Sequence, residues 1–235
     1  MFINEFAPDH IIQEGPYDPG IFKAIFLAGG PGSGKSYVAT QLLRGSGLKS
    51  VNSDTIYEYL AKKQEFDLGD PDKVASDQGQ EIRNRAKDLT LSQQEKYLHG
   101  RLGLIIDGTG KDVQKVAKQS EELKKLGYET MMIFVNTSLD VAQERNKQRD
   151  RSVPSEMVEK MWRQVQDNIM SFQQVFGAKN FLVVDNSGGL EDPDRKKNFD
   201  TVRKNLGMFI DAKPSNRKAK QWIQQSLKDR GATEY

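Results

Sequence analysis

Five short apolar runs punctuate the chain, and long polar stretches with helical spacing separate them. The runs are Ala24–Ala28 (AIFLA), Leu48–Asn52 (LKSVN), Leu102–Ile106 (LGLII), Thr130–Val135 (TMMIFV) and Phe181–Val184 (FLVV). The third runs into Asp107, the fourth into Asn136 and the fifth into Asp185. Most are apolar at nearly every position, although Leu48–Asn52 is weaker. Short runs of this kind, bounded by turn residues, read as strands buried on both faces of a parallel sheet. The spacing predicts helices over Lys35–Arg44, Asp54–Lys63, Asp72–Leu98, Lys111–Leu126, Leu139–Arg149 and Ser155–Phe176. Gly45-Ser46-Gly47, Gly100 and Gly127 follow three of these as stops, and Pro154 suits a helix start. Strand–helix alternation predicts an α/β fold.

After Asp185 the strand pattern ends. Asn186–Asp194 (NSGGLEDPD) is rich in turn residues, and two further helices are expected over Asp194–Phe209 and Pro214–Arg230. The organisation expected is an N-terminal arm (1–20), an α/β domain (21–190) and a helical C-terminal extension (191–235). From Arg195 to Tyr235 there are eleven Lys or Arg against four Asp or Glu, about +7, whereas the whole chain is only +2. That asymmetry leaves two readings, a solvated basic helical pair packed on the core or a surface for an anionic partner such as nucleic acid.

Composition removes several chemistries. The 235 residues suit one large domain, or one with an appendage. There is no Cys, so disulfides, thiol catalysis and Cys-based zinc sites are out, and only His10 and His99 are present. No run approaches the roughly 18 apolar residues that a membrane span needs. Residues 1–20 carry four acids and no Lys or Arg, unlike a secretory or transit signal. A cytoplasmic location is the simplest expectation.

Gly29-Gly30-Pro31-Gly32-Ser33-Gly34-Lys35-Ser36 fits G-x-x-x-x-G-K-[ST], directly after the first predicted strand and directly before a helix. Glycines let successive backbone N–H groups turn around a phosphate, and the helix N-terminus adds partial positive charge. Gly30, Pro31, Gly32, Ser33, Gly34, Lys35, Ser36 and Tyr37 are therefore the expected nucleotide-binding residues. Lys35 reaches the phosphates and Ser36 ligates Mg²⁺ in this reading.

Ligands in open parallel sheets bind at the carboxyl ends of the strands. Asp54 follows the second strand, where a carboxylate can take the proton of an attacking hydroxyl. Alternatively, Asp54 or Ser53 caps the helix that follows. Asp107 ends the third strand at the position of a metal-holding carboxylate, with a turn acid as the alternative. Thr109, just beyond, is a candidate for binding the acceptor. Asp185-Asn186 is as well read as a turn and stays outside the catalytic set. Arg145 and Arg149, four apart, share a helical face. They suit a lid that neutralises the charge developing in phosphoryl transfer. A solvated face is the alternative, and Arg163 is a weaker addition.

Together GGPGSGKS, VNSDTIYEYL, LIIDGTGKD and ERNKQRDRSVP resemble the P-loop kinases of the zeta-toxin and polynucleotide-kinase group, over roughly Ile21 to Asn186. The resemblance implies a three-layer P-loop NTPase sandwich with a five-stranded parallel sheet, the P-loop strand being central. It implies phosphorylation of a hydroxyl by ATP or GTP, with Asp54 as general base and Arg145 and Arg149 as lid arginines. It also marks the long polar helix as an acceptor region, where Arg83, Arg85 and Lys87 can meet an anion. Polynucleotide kinases carry an arginine three residues after the base, and Tyr57 stands there instead. The expected function is a Mg²⁺-dependent kinase acting on a hydroxyl of a small anionic acceptor such as a nucleotide-sugar. The alternatives are a kinase of a nucleic-acid hydroxyl and, in another class, an NTP-dependent switch or binding module.

Overall fold

The computed structural model describes residues 15–148, 153–189 and 191–231. Five strands, β1 (Lys23–Ala28), β2 (Lys49–Val51), β3 (Leu104–Asp107), β4 (Glu129–Asn136) and β5 (Phe181–Asp185), form one sheet in the order β2-β3-β1-β4-β5. Every pairing is parallel. The strand that feeds the glycine-rich loop is central, as the resemblance implies. β2 holds only to β3, through Lys49 to Val51, and so is shorter than its hydrophobic pattern predicts.

Side chains alternate across β1, and the alternation divides the core in two. Ala24, Phe26 and Ala28 pack on one face with Met132 and Phe134, under α5 (Val113–Leu126), α8 (Ile169–Phe176) and α10 (Arg217–Asp229). Ile25 and Leu27 pack on the other face with Met131, Ile133 and Val184, under α1 (Lys35–Leu43) and α9 (Pro193–Asp211). A satellite cluster of Ile56, Tyr57, Ile82 and Ala86 joins α2 (Ser53–Lys63) to α4 (Asp77–His99).

The two C-terminal helices thus contribute to both faces. Phe199, Val202 and Leu206 of α9 are buried on one, and Ala219, Ile223 and Leu227 of α10 on the other. Each such large side chain is worth about 1.5–3 kcal/mol on full burial. Their basic residues Lys196, Lys197, Lys204, Lys218 and Lys220 are exposed, but Arg195 is buried. A polar anchor fixes the turn between them. Lys23, 1% exposed, pairs with Glu129, whose other oxygen accepts from Ser215 N and Oγ, each at 2.6 Å.

Two helices expected to be continuous are divided. The stretch 72–98 becomes α3 (Pro71–Ala75) and α4, because Ser76 leaves helical geometry and its hydroxyl accepts from Gly79 N. The stretch 155–176 becomes α7 (Ser155–Asp167) and α8 at Asn168, whose side-chain amide donates to the carbonyls of Gly110 and Lys111. In both cases a short polar side chain makes a bond that periodicity does not reveal. α6 (Leu139–Lys147) follows β4.

Candidate functional site

The glycine-rich loop leaves the carboxyl end of β1 and turns into α1. Two of its glycines are required by space and by backbone conformation. Gly32 has φ +75°, and a Cβ there would lie 2.1 Å from the carbonyl oxygen of Ala142. Gly34 has φ +80°, and a Cβ would lie 2.3 Å from Asn186 Nδ2. Gly34 is also the N-cap of α1, so no side chain caps the first amides of that helix. Open amides and a helix dipole together favour an anion. Ser33 donates its backbone N–H to the Gly30 carbonyl, and its hydroxyl is buried with no partner among the described residues.

Lys35, the first residue of α1, donates through Nζ to Asp107 Oδ1 at 2.7 Å. The other oxygen of Asp107 accepts from Asn52 Nδ2 at 2.8 Å. Asn52 in turn caps α2, its side-chain oxygen accepting from Asp54 N at 2.8 Å. So the cap of α2 is Asn52, and neither Asp54 nor Ser53 is needed for it. The ends of β1, β2 and β3 are thereby stitched through Lys35, Asn52 and Asp107. Sequence reasoning passed over Asn52, although an Asn directly before a helix is a capping signal.

Asp54 lies in the first turn of α2. Its side chain is 73% exposed, and the guanidinium of Arg83 on α4 approaches it to 3.8 Å. Arg83 also stacks 4.3 Å over the ring of buried Tyr57. One turn further along α4, Lys87 lines a cavity of about 580 Å³ between α4, β3 and α5. Asp107 and Thr109 line the same cavity, with Lys111 and Lys115 beyond them and Val51, Ile106 and Met132 as apolar floor. Ser53 also lines it, whereas Asp54 and Arg83 do not. Arg85 is exposed and does not line it either, because two residues along a helix turn it to another face.

On the other side of the loop, Arg145 of α6 lies beside Gly34: a Cβ on Gly34 would be 3.5 Å from its NH1. That NH1 is buried with no hydrogen-bond partner among the described residues. Burial and the charge of Arg195 lower the Arg145 pKa, and Glu144 opposes them. Arg145 thus lies beside the loop itself, and Arg195 reaches it only through Asn186. Tyr37, 40% exposed, lies beneath Arg195, whose guanidinium is 5.3 Å from its ring. Arg163 is spent on Glu159, at 2.7 Å, one turn back on α7. Arg149 lies outside the described residues.

Asn186, excluded from the catalytic set as a turn residue, is buried. It donates from Nδ2 to the Ser33 carbonyl at 2.8 Å and accepts at Oδ1 from Arg195. Neither residue carries a local signal. Asn186 sits in turn-rich sequence and Arg195 in a basic run.

The donor set fits Mg²⁺. Ser36 and Asp107 offer hard oxygen ligands beside the loop, and among the described residues no three acidic or His side chains cluster as a cage. Mg²⁺ usually takes one or two protein oxygens and completes its shell with phosphates and water.

A five-stranded parallel sheet with a G-x-x-x-x-G-K-S loop at its central strand defines a P-loop NTPase-type α/β protein. The sequence profile of the AAA domain family, AAA_33, matches residues 25–171, and the chain belongs to that family. A cytidylate kinase of Methanopyrus kandleri is 25% identical over 177 residues, covering 72% of this chain and 86% of that protein. A solved structure from the PezAT chromosomal toxin-antitoxin system of Streptococcus pneumoniae superposes with a TM-score of 0.52 at 19% identity, covering 88% of this chain and 86% of that one. The AvrRxo1-ORF1:ORF2 complex with ATP superposes with a TM-score of 0.53 at 13% identity, covering 86% and 80%. These two likenesses carry the fold. Family membership and the kinase relative support phosphotransferase activity and imply that the chain binds ATP. Among the described residues no helix is long and apolar enough to cross a membrane.

Proposed function

We propose that the chain is a Mg²⁺- and ATP-dependent kinase (GTP being the alternative donor) that transfers the γ-phosphate to a hydroxyl of a small anionic acceptor of nucleotide-sugar size. The observation that carries this reading is the cavity of about 580 Å³ that opens beside the Lys35–Asp107 pair and carries Lys87, Lys111 and Lys115 on its walls. Its volume lies within the range of small-molecule sites, about 300–1,000 Å³. Its apolar floor suits a ring, and its lysines suit phosphate or carboxylate.

In this reading the loop amides, Ser33 and Gly34 among them, grip the triphosphate together with Lys35 and the first turn of α1, which includes Tyr37. Ser36 and Asp107 hold Mg²⁺, which when bound offsets the charge of the phosphate oxygens. Lys35 donates to Asp107, so each group orients the other. Asp54 accepts the proton of the acceptor hydroxyl from beside the cavity, next to Ser53 on its wall, with Arg83 3.8 Å away. Thr109 and Lys87 position the acceptor. Arg145, with a buried NH1 in need of an acceptor, binds the nucleotide. Phosphoryl transfer requires mainly this positioning and charge compensation.

A second reading places the acceptor hydroxyl on a nucleic acid. The exposed lysines of α9 and α10 favour it, since phosphate contacts of this kind dominate such binding.

Label transfer from γ-labelled ATP decides between them. The panel holds sugar nucleotides, a nucleoside monophosphate and 5′-hydroxyl oligonucleotides, with wild type and Asp54→Asn. The expected result is label on a small hydroxyl acceptor, lowered about 10²–10⁴-fold in Asp54→Asn, as for loss of a general base. ATP affinity should be retained. Label on the oligonucleotide alone selects the second reading. Label on no acceptor, or on the phosphate of the monophosphate with Asp54 dispensable, refutes both.

A further inference from the structure

The phosphate loop is held from outside by a residue on α9, beyond the segment that the family profile matches. Arg195 is 8% exposed. Its Nε and NH2 both donate to Asn186 Oδ1, at 3.2 and 3.0 Å. Its guanidinium lies 4.8 Å from the ring of Phe199 and 5.3 Å from that of Tyr37. With its acceptor oxygen so engaged, the Asn186 amide must present its nitrogen to the loop. That nitrogen donates to the Ser33 carbonyl at 2.8 Å. The Asn186 backbone N–H is fixed as well, by the Asn136 carbonyl at 2.9 Å.

The consequence concerns the direction of one peptide plane. A Ser33 carbonyl bonded outward to Asn186 leaves the N–H of the same peptide, that of Gly34, on the opposite side. A cradle for phosphate needs its N–H groups inward and its carbonyls outward. Gly34 is also the position at which any side chain would strike Asn186. An Asn amide has two orientations, and the guanidinium selects one, because its N–H groups can donate to the amide oxygen and not to the amide nitrogen.

We infer that Arg195 is a positioning residue of the nucleotide site, acting through Asn186 to set the Ser33–Gly34 peptide for phosphate binding. It does not touch the nucleotide in this scheme. A guanidinium is needed because two of its donors meet one oxygen while the group packs against two aromatic rings. An ammonium offers neither the paired donors nor a planar face. Among the described residues neither Arg195 nor Arg145 forms an ion pair, so the two like charges beside the loop add to its preference for an anion. The inference rests on the loop being a nucleotide site, and a binding measurement without acceptor separates it from the question of catalysis.

The test uses the full chain as wild type, Arg195→Met, Arg195→Lys, Asn186→Ala and the Arg195→Met/Asn186→Ala double variant. ATP and ADP are titrated by calorimetry, and Tm is recorded without nucleotide. Arg195→Met should weaken ATP and ADP at least 10-fold, and Asn186→Ala should do the same. The double variant should be no weaker than the worse single, because both break one linkage. Arg195→Lys should stay within threefold of Arg195→Met. Wild-type ATP affinity in a folded Arg195→Met protein of lowered Tm assigns a purely structural role and overturns the inference. So do full recovery with Lys or losses that multiply in the double variant. Should Arg195→Met not fold, Asn186→Ala leaves both ring contacts of Arg195 in place and decides alone. ATP binding at wild-type strength in that variant overturns the proposal.

Discussion

Replacing Glu129 by Gln isolates one buried charge and tests how firmly the C-terminal helices are tied to the sheet. Glu129 begins β4, beside Lys23 at the start of β1. Lys23 is 1% exposed, its ammonium lies 5.0 Å from the Phe209 ring, and Glu129 is its one ion-pair partner among the described residues. Removing the charge of Glu129 leaves an ammonium in an apolar site. Breaking a buried pair in this way costs about 3–5 kcal/mol. The carboxylate is 24% exposed, and the Gln oxygen can still accept from Ser215, so the lower end, about 3 kcal/mol, is expected. For a chain of this size about 3 kcal/mol corresponds to a fall in Tm of about 6–12 °C. The pH dependence carries the same signature. Burial pushes the Glu129 carboxyl upward, but the hydrogen bonds from Lys23 and Ser215 and the charge of Lys23 outweigh it, and its pKa is lowered below 4.5. A carboxyl depressed in the folded state stabilises the fold above the unfolded value. That contribution is lost as pH falls from about 4.5 through the folded value. Urea unfolding of wild type and Glu129→Gln from pH 7 to pH 3 reads both effects. The two stability curves should differ most near neutrality and converge at acid pH. A difference under about 0.5 kcal/mol at pH 7, the level of an ordinary surface change, or parallel curves down to pH 3, would refute the account.

Gly32→Ala meets both a positive φ and the Ala142 carbonyl, so ATP affinity should fall at least 10-fold in calorimetry, with a loss of about 1–3 kcal/mol in urea stability; unchanged values would mean that the loop yields freely. Lys87→Glu places a carboxylate on the wall of the acceptor cavity. It should raise KM for an anionic acceptor at least 10-fold while leaving KM for ATP within twofold, and equal effects on both substrates would detach Lys87 from the acceptor.

The order of strands and helices, the phosphate loop and the acid at the end of β3 are legible along the chain, because each depends on local pattern. Apolar runs bounded by turns specify the parallel sheet. G-x-x-x-x-G-K-S works through consecutive backbone groups and needs no distant partner to be recognised. Helix ends were less legible where Ser76 and Asn168 divert the backbone through bonds made by their own side chains. Asp54 was visible as a carboxylate after a strand, but its exposure outside the cavity lining and its neighbour Arg83 depend on how α2 and α4 pack.

What the linear order does not contain is the meeting of residues far apart in it. Lys35, Asn52 and Asp107 converge because β1, β2 and β3 end at one edge of the sheet. Asn186 reaches Ser33, and Arg195 reaches Asn186, because β5 lies two strands from β1 and α9 folds back over α1. In sequence, Arg195 is one basic residue among eleven between Arg195 and the C-terminus, and only burial beside Tyr37 and Phe199 distinguishes it from the solvated rest. Local pattern selects elements because propensity and amphipathicity act within a few residues. Polar partners across the sheet are selected by desolvation, which acts only once the chain has closed around them.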